Sequence, residues 1–127
     1  MIVLDTSIWI EYFKRNNDYK LIIDNLLRAK KVLAIDFIFG ELLQGARENE
    51  KETIIGMWEI LPKINISGLG FYAGRYSMEN NLLNKGIGLI DSAIIYASIN
   101  SNSKLWTLDK KIINQLDNNC LYNSILG

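Results

Sequence analysis

The chain has 127 residues, with 14 lysines and arginines against 14 aspartates and glutamates, no histidine, one cysteine and one proline. Without histidine it cannot form a Ser-His-Asp triad or a Cys-His dyad. With Cys120 as its single cysteine it can form neither an intramolecular disulfide nor a cysteine-based zinc site. Any catalysis must therefore rely on carboxylates, hydroxyls and amines, with or without a hard metal ion. At this length one domain over residues 1–127 is expected.

The N-terminal residues indicate the compartment. Residues 1–5 contain no basic segment and reach a carboxylate at Asp5, so they predict neither a signal peptide nor a membrane anchor. No apolar run approaches the ~20 residues that a membrane-spanning helix needs. A single cysteine fits a reducing environment. We therefore expect a cytoplasmic protein with no membrane partner.

Short apolar runs alternate with helical patterns along the chain. Residues 2–4, 32–35, 64–66 and 105–108 predict strands, and residues 120–122 form a weaker fifth candidate. Between them, apolar residues with helical spacing occupy positions 8–13, 22–27, 38–43, 54–61, 71–82 and 90–97. Pro62 should end the fourth helix, and the fifth should end near Gly86. This alternation predicts an α/β fold with a parallel sheet and helices on both of its faces.

Acidic residues follow three of the apolar runs. Asp5, Asp36 and Asp109 come directly after predicted strands, and the carboxyl ends of parallel strands meet at one edge of the sheet. Glu41 lies about one turn into the helix after the second strand. Asp91 opens the helix that leads to the fourth strand, and this helix must start at the same edge because it runs antiparallel to its strand. Asp5, Glu41, Asp91 and Asp109 should therefore converge, whereas capping is the more ordinary role for Asp36.

Two of these acids lie in apolar surroundings. Asp91 is the only charged residue between positions 89 and 99, and Glu41 is flanked by apolar residues on both sides. Half-buried carboxylates without cations repel each other, and a divalent ion removes that repulsion. Oxygen ligands select hard ions such as Mg²⁺ or Mn²⁺, which activate water and stabilise the transition state of phosphodiester hydrolysis. Helix capping remains the alternative for Asp5 and Asp109 considered singly.

Four segments resemble the motifs of PIN-domain nucleases, specifically the VapC-type toxins of toxin–antitoxin pairs. They are residues 1–11 (MIVLDTSIWIE), 41–47 (ELLQGAR), 89–97 (LIDSAIIYA) and 105–111 (LWTLDKK). The resemblance implies a three-layer α/β/α sandwich around a parallel sheet of about five strands. It also implies a Mg²⁺- or Mn²⁺-dependent endoribonuclease whose catalytic and metal-binding acids are Asp5, Glu41, Asp91 and Asp109. Cleavage of tRNA or rRNA, and hence inhibition of translation, is the implied activity.

Hydroxyl and basic residues near these motifs have candidate supporting roles. Thr6, Ser7 and Thr107 are expected to orient the acids, although capping and strand packing are equally ordinary roles for them. Setting the four motif acids aside leaves 14 basic against 10 acidic residues, a modest positive balance. The candidate contacts for RNA phosphates are Arg47, Arg75, Lys85, Lys104, Lys110 and Lys111. A solvated surface is the alternative for each of them.

The resemblance also implies a homodimer and a cognate antitoxin protein. An aromatic stripe of Trp9, Tyr12 and Phe13 on the first helix favours core packing. The alternative is that part of the stripe lines a groove for an antitoxin helix.

Two other functional classes compete with the nuclease hypothesis. A receiver-like signalling module would also place acids and Mg²⁺ at this sheet edge, but it needs an Asp after a middle strand. Here Ser67 and Gly68 follow the third predicted strand. A phosphatase with an Asp-x-Asp motif after the first strand is disfavoured, because Ser7 occupies the position of the second Asp. A catalytically inactive PIN fold that only binds partners is the remaining alternative.

Overall fold

The computed structural model describes residues 1–124. In chain order its elements are β1 (Ile2–Leu4), α1 (Thr6–Phe13), α2 (Asn17–Arg28), β2 (Val32–Leu33), α3 (Asp36–Gln44), α4 (Lys51–Ile60), α5 (Leu69–Asn80), α6 (Leu89–Asn100), β3 (Lys104–Trp106) and α7 (Lys110–Gln115). Single 3-10 turns cover Leu83–Lys85 and Asn118–Cys120. No helix within these residues is long and apolar enough to span a membrane.

The three strands form a parallel sheet in the order β2-β1-β3. Ile2 is in register with Val32 on one side and with Lys104 on the other, and Leu4 is in register with Trp106. All three residues of β1 are buried, since the central strand of a parallel sheet is covered on both faces. The predicted α/β class with a parallel sheet flanked by helices is confirmed.

The sheet has fewer regular strands than the expected five. The two outer candidates, residues 64–66 and 120–122, form no regular strand. Isolated parallel bridges instead pair Ala34 with Lys63, just before the first candidate, and Leu105 with Leu121. Pro62 accepts a hydrogen bond from Ala34 through its carbonyl oxygen but has no N–H to donate. The two segments beside the outer strands of the sheet therefore lie near the third and fifth predicted strands, but each pairs through a single bridge and forms no ladder.

The fifth helix differs from its predicted limits and face. It ends at Asn80 instead of near Gly86, because Asn81 adopts a left-handed conformation with φ of 57°. Phe71 and Met78 were expected on its apolar face, but each is 73% exposed, whereas Ala73 is fully buried. Apolar spacing identified the helix but did not show which side of it faces the core.

Helix α6 lies in the centre of the fold. Ala93, Ile94, Ile95 and Ala97 are essentially inaccessible to solvent, and α6 packs against α5 and β3. The helix starts after a break at residues 86–88, where Gly86 has a φ of 78°, a conformation that favours glycine. This break brings the first turn of α6, including Asp91, to the carboxyl edge of the sheet.

Candidate active site

Asp5 lies at the carboxyl end of the central strand and starts α1. Its Oδ1 accepts a hydrogen bond from the Thr6 N–H at 2.8 Å, and its Oδ2 accepts one from the Thr107 hydroxyl at 2.6 Å. Only 6% of the residue is exposed. Asp5 therefore caps α1, the role considered for it from the sequence. Capping uses only one oxygen of the carboxylate and does not explain why an acidic side chain is buried at this position.

Thr6 connects Asp5 to the second motif. Its hydroxyl donates to Oε1 of Glu41 at 2.8 Å, while its backbone N–H donates to Asp5. Glu41 lies in the second turn of α3 and is partly buried. Two carboxylates that are 36 positions apart in sequence are thus joined through a single threonine.

The fourth motif approaches Asp5 from the other side. Thr107 follows β3, donates to Asp5, and accepts a hydrogen bond at 3.0 Å from the backbone N–H of Asp109. Asp109 caps α7 by accepting from the Lys111 N–H at 2.9 Å. The Ser7 hydroxyl oxygen accepts from the Leu108 N–H at 3.1 Å, which ties the start of α1 to this loop.

Asp91 reaches the same edge from the first turn of α6. Burial raises the pKa of Asp91, and the negative charges of Asp5, Asp109 and Glu41 raise it further. The positive charge of Lys111 acts in the opposite direction. Asp91 therefore lies within electrostatic range of the other three acids.

No acid of the cluster forms a salt bridge within residues 1–124. Burial raises the pKa of Asp5, although the hydrogen bonds from Thr107 and Thr6 partly compensate. None of the three salt bridges among residues 1–124 involves an acid of the cluster; they pair Lys20 with Asp24, Lys51 with Glu48, and Arg75 with Glu79. Within the same residues, no three acidic side chains are already arranged as a complete metal site.

Within residues 1–124, the acid cluster therefore offers carboxylate oxygens as ligands, with the buried Asp5 at its centre. A Mg²⁺ ion typically takes one or two carboxylates, keeps several waters and completes its shell with substrate phosphate oxygens. Asp5 and Asp91 are two carboxylates within electrostatic range of each other, which is the number of protein carboxylates that such an ion takes. The donor chemistry and the unpaired charge both suit a hard divalent ion.

Comparison with known proteins identifies the family. A family model described as the PIN domain matches residues 2–118 of this chain. The chain belongs to the PIN-domain family. Its fold is similar to that in the crystal structure of VapBC2 from Rickettsia felis bound to a DNA fragment from its promoter, with a TM-score of 0.69 and 23% identity over 95% of this chain and 96% of that one. No curated protein sequence matches the chain.

The basic residues proposed from the sequence are distributed unevenly around this PIN domain. Lys110 and Lys111 begin α7 beside Asp109 and are exposed. The Lys85 ammonium group instead donates to the Gln115 side chain at 2.9 Å and to the Asn80 carbonyl at 3.1 Å. Lys85 is thus partly committed to local contacts.

Two of the more distant candidates are poorly placed. Arg75 pairs with Glu79 at 4.0 Å and lies over the Tyr72 ring, 5.1 Å from its centroid. Lys104 begins β3 and lies at the amino edge of the sheet, because its N–H donates to the Met1 carbonyl. Within residues 1–124, neither Arg75 nor Lys104 forms a hydrogen bond or salt bridge with an acid of the cluster.

Asp36 does not act as the expected helix cap. The N-cap position of α3 is Ile35, which makes no side-chain capping bond, and Asp36 is the first residue of the helix. It is exposed, and its charge suits the positive end of the helix dipole.

The aromatic stripe on α1 packs against the core, as the sequence favoured, and part of it also lines a surface cavity. Trp9 is 1% exposed and stacks on Phe13 with ring centroids 5.6 Å apart. Phe13 and Tyr12 are partly buried and also line a surface cavity, together with Lys14 and Arg15. These two cations were missed by the sequence analysis because they lie outside the four motifs. Their adjacency at the end of the first predicted helix was the available indication.

Thr107→Val should reveal how far this PIN domain depends on the hydroxyl network. Its hydroxyl donates to buried Asp5 and accepts from Asp109, so its loss leaves both groups with a missing partner. We expect a destabilisation of about 1–3 kcal/mol and a 10–100-fold loss of whatever activity the acids support. Thermal unfolding and an activity assay check these values. Thr107→Ser keeps the hydroxyl and should restore both, and failure of that rescue would argue for a packing role of the methyl group.

Proposed function

We propose that this PIN domain is a Mg²⁺- or Mn²⁺-dependent endoribonuclease that hydrolyses RNA phosphodiester bonds. The proposal is carried by one observation. A buried carboxylate, Asp5, is linked through Thr6 to Glu41 and through Thr107 to the Asp109 backbone, and it interacts electrostatically with Asp91, with no salt bridge to any of the four among residues 1–124.

Within this site, Asp5 and Asp91 would hold the metal ion most directly. Asp5 lies at the end of a buried strand and Asp91 in the first turn of a buried helix, so both side chains are carried by rigid elements. When bound, the ion supplies charge stabilisation for the phosphate and lowers the pKa of a coordinated water. Glu41 and Asp109 would accept hydrogen bonds from that water and orient it toward the phosphorus.

The hydroxyls keep these acids in place. Thr6 fixes the distance between Asp5 and Glu41, and Thr107 fixes the loop that carries Asp109 against Asp5. Ser7 holds the Leu108 N–H and so restrains the same loop. The candidate phosphate contacts Lys110 and Lys111 follow this loop, and Arg47 lines a cavity together with Thr6 and Glu41.

We further propose that the chain is the toxin of a toxin–antitoxin pair, which cleaves tRNA or rRNA and thereby inhibits translation. A cognate antitoxin, a homodimeric state and a cytoplasmic location belong to this proposal. Its support is the sequence resemblance to VapC-type toxins and the similarity of fold to VapBC2 from Rickettsia felis. The receiver-like alternative is wrong, since the PIN model covers residues 2–118.

An RNA cleavage assay with and without divalent metal ions tests the proposed function. Purified protein is incubated with total cellular RNA and with in vitro transcribed tRNA, with Mg²⁺, with Mn²⁺, or with EDTA, and the new RNA ends are mapped. We expect discrete cleavage products with either metal and none with EDTA. Equal cleavage with and without EDTA would contradict the metal-dependent mechanism, and intact RNA in all samples would favour the inactive, partner-binding alternative.

A further inference from the structure

We propose that a basic groove between the C-terminal end of α1 and residues 45–50 binds the phosphate backbone of the single-stranded RNA substrate. The groove comprises two adjoining cavities, of about 710 Å³ and about 170 Å³, which share the wall residues Phe13, Lys14, Arg47 and Glu50. The inference rests on the proposed ribonuclease function and adds the path of the substrate strand.

The smaller cavity begins at the acid cluster. Thr6 and Glu41, which belong to the hydrogen-bonded network around Asp5, line this cavity together with Lys14 and Arg47. The groove therefore includes two residues of the acid network in its wall. The larger cavity adjoins the smaller one at the shared wall residues and contains neither Thr6 nor Glu41 in its lining.

The groove becomes more basic with distance from the acids. The larger cavity is lined by Lys14, Arg15, Lys20 and Arg47, and Glu50 is its one acidic residue. Glu50 accepts a hydrogen bond from the Arg47 backbone N–H at 2.9 Å, which holds its carboxylate in the turn before α4. This charge distribution places metal-binding acids at one end and phosphate-binding cations at the other.

Three of the four cations are available for a ligand. Lys20 pairs with Asp24 at 2.8 Å. Lys14, Arg15 and Arg47 are exposed, and none of them forms an ion pair with an acid among residues 1–124. Guanidinium groups bind phosphate oxygens in a bidentate geometry, and a positively charged groove is the usual binding surface for the backbone of a single nucleic-acid strand.

The wall of the groove is fixed before any ligand binds. Phe13 stacks on the buried Trp9, and the Tyr12 hydroxyl donates to Asp24 at 2.6 Å. Arg15 has a φ of 61° and its N–H donates to the Tyr12 carbonyl, so the turn that presents Lys14 and Arg15 is closed by the helix itself. A preformed wall binds with little ordering cost.

The chain contains a closely matched control. Lys30 follows α2 as Arg15 follows α1, with a φ of 56°, and the N–H groups of Lys30 and Lys31 donate to Leu27 and Leu26 in the same pattern of hydrogen bonds. Lys31 accepts from the Ile2 N–H at the amino edge of the sheet, opposite the acid cluster. Replacing either pair removes two positive charges from the same kind of turn.

The test compares the groove variant K14Q/R15Q with the control variant K30Q/K31Q. Binding of a fluorescein-labelled, 12-nucleotide single-stranded RNA is measured by fluorescence anisotropy in EDTA over a range of KCl concentrations. Each phosphate contact contributes about 0.7 to the slope of log affinity against log salt for single strands. We expect the groove variant to lose about 1.4 of slope and roughly 10–30-fold of affinity at 0.1 M salt. The control variant should change affinity less than about twofold, as expected for cations without a phosphate contact.

Two further variants sharpen the result. R47Q should lose about half as much slope as the groove pair, and K14R/R15K, which keeps both charges, should keep the wild-type slope. Equal losses in the groove and control variants, or no RNA binding by the wild type, would overturn the proposal. Unchanged RNA binding in the groove variant would also overturn it. An acidic segment of a protein partner would then be the alternative ligand of the groove.

The binding assay is independent of catalysis. RNA that binds through the groove but stays intact with Mg²⁺ would contradict the ribonuclease function alone. Cleavage with Mg²⁺ together with groove variants that bind normally would contradict only the path of the strand. In the cleavage assay we expect K14Q/R15Q to raise KM with little change in kcat, since both residues lie outside the acid cluster.

Discussion

Replacing Asp91 by Asn is expected to reduce RNA cleavage by about 10³-fold while the protein stays folded. A metal ion contributes several kcal/mol to the transition state of phosphodiester hydrolysis, and each 1.36 kcal/mol corresponds to a tenfold change in rate. Asp91 lies in the first turn of α6, where Asn fits the same space without the charge. The cleavage rate of mapped RNA substrates with saturating Mg²⁺ is the measurement.

Asp36→Asn is the matched control for this variant. Asp36 also lies in the first turn of a helix, but it is exposed and has no hydrogen bond or ion pair with the acid cluster within residues 1–124. It should cleave RNA at the wild-type rate. If Asp91→Asn cleaves as fast as Asp36→Asn, the role assigned to Asp91 is wrong.

Millimolar Mg²⁺ or Mn²⁺ should raise the melting temperature of the wild type but not of Asp91→Asn. A ligand that binds only the folded state at 100 times its Kd stabilises that state by about 2.7 kcal/mol, or roughly 10 °C for a domain of this size. Differential scanning fluorimetry with and without EDTA measures the shift. KCl at matched ionic strength separates site binding from general charge screening.

Without a metal ion, Asp91→Asn should be more stable than the wild type. The raised pKa of Asp91 means that the folded protein favours the protonated carboxyl group more than the unfolded chain does. The resulting stabilisation of the fold is complete below the ordinary pKa of 3.8 and is lost as the pH rises through the raised pKa. At pH 7 the charged carboxylate therefore destabilises the metal-free wild type. Asp91→Asn should melt a few degrees higher than the wild type in EDTA at pH 7. A lower melting temperature would show that Asp91 instead stabilises the fold.

The position of the acids could be predicted because it follows from topology. Asp5 and Asp109 come directly after strands, and parallel strands end at one edge, so no long-range contact had to be guessed. Asp91 required only that its helix run antiparallel to the next strand. The links between the acids through Thr6 and Thr107 depend on side-chain geometry. From the sequence, each hydroxyl could either orient an acid or serve in capping and strand packing.

Other features could not be predicted from local patterns. The outer strands at residues 64–66 and 120–122 depend on pairing with distant residues, and the apolar runs alone did not show that each would form only a bridge. The exposed Phe71 and Met78 share the spacing of core residues, but the packing of α5 against α6 places Ala73 in the core.

The basic groove lay outside sequence reasoning for a related reason. Its wall combines the end of α1 with residues 45–50, two segments that are distant in sequence and carry no common motif. Arg47 was found because it ends the second motif, whereas Lys14 and Arg15 became candidates only when the fold placed them beside it.

The most direct measurement of the central claim is the anomalous scattering of Mn²⁺ in crystals of the wild-type protein soaked in MnCl₂. Our interpretation predicts an anomalous peak at the carboxyl edge of the sheet, in contact with carboxylate oxygens of Asp5 and Asp91, and no such peak in Asp91→Asn crystals. Wild-type crystals with ordered Mn²⁺ only elsewhere, or with none at saturating concentration, would contradict it.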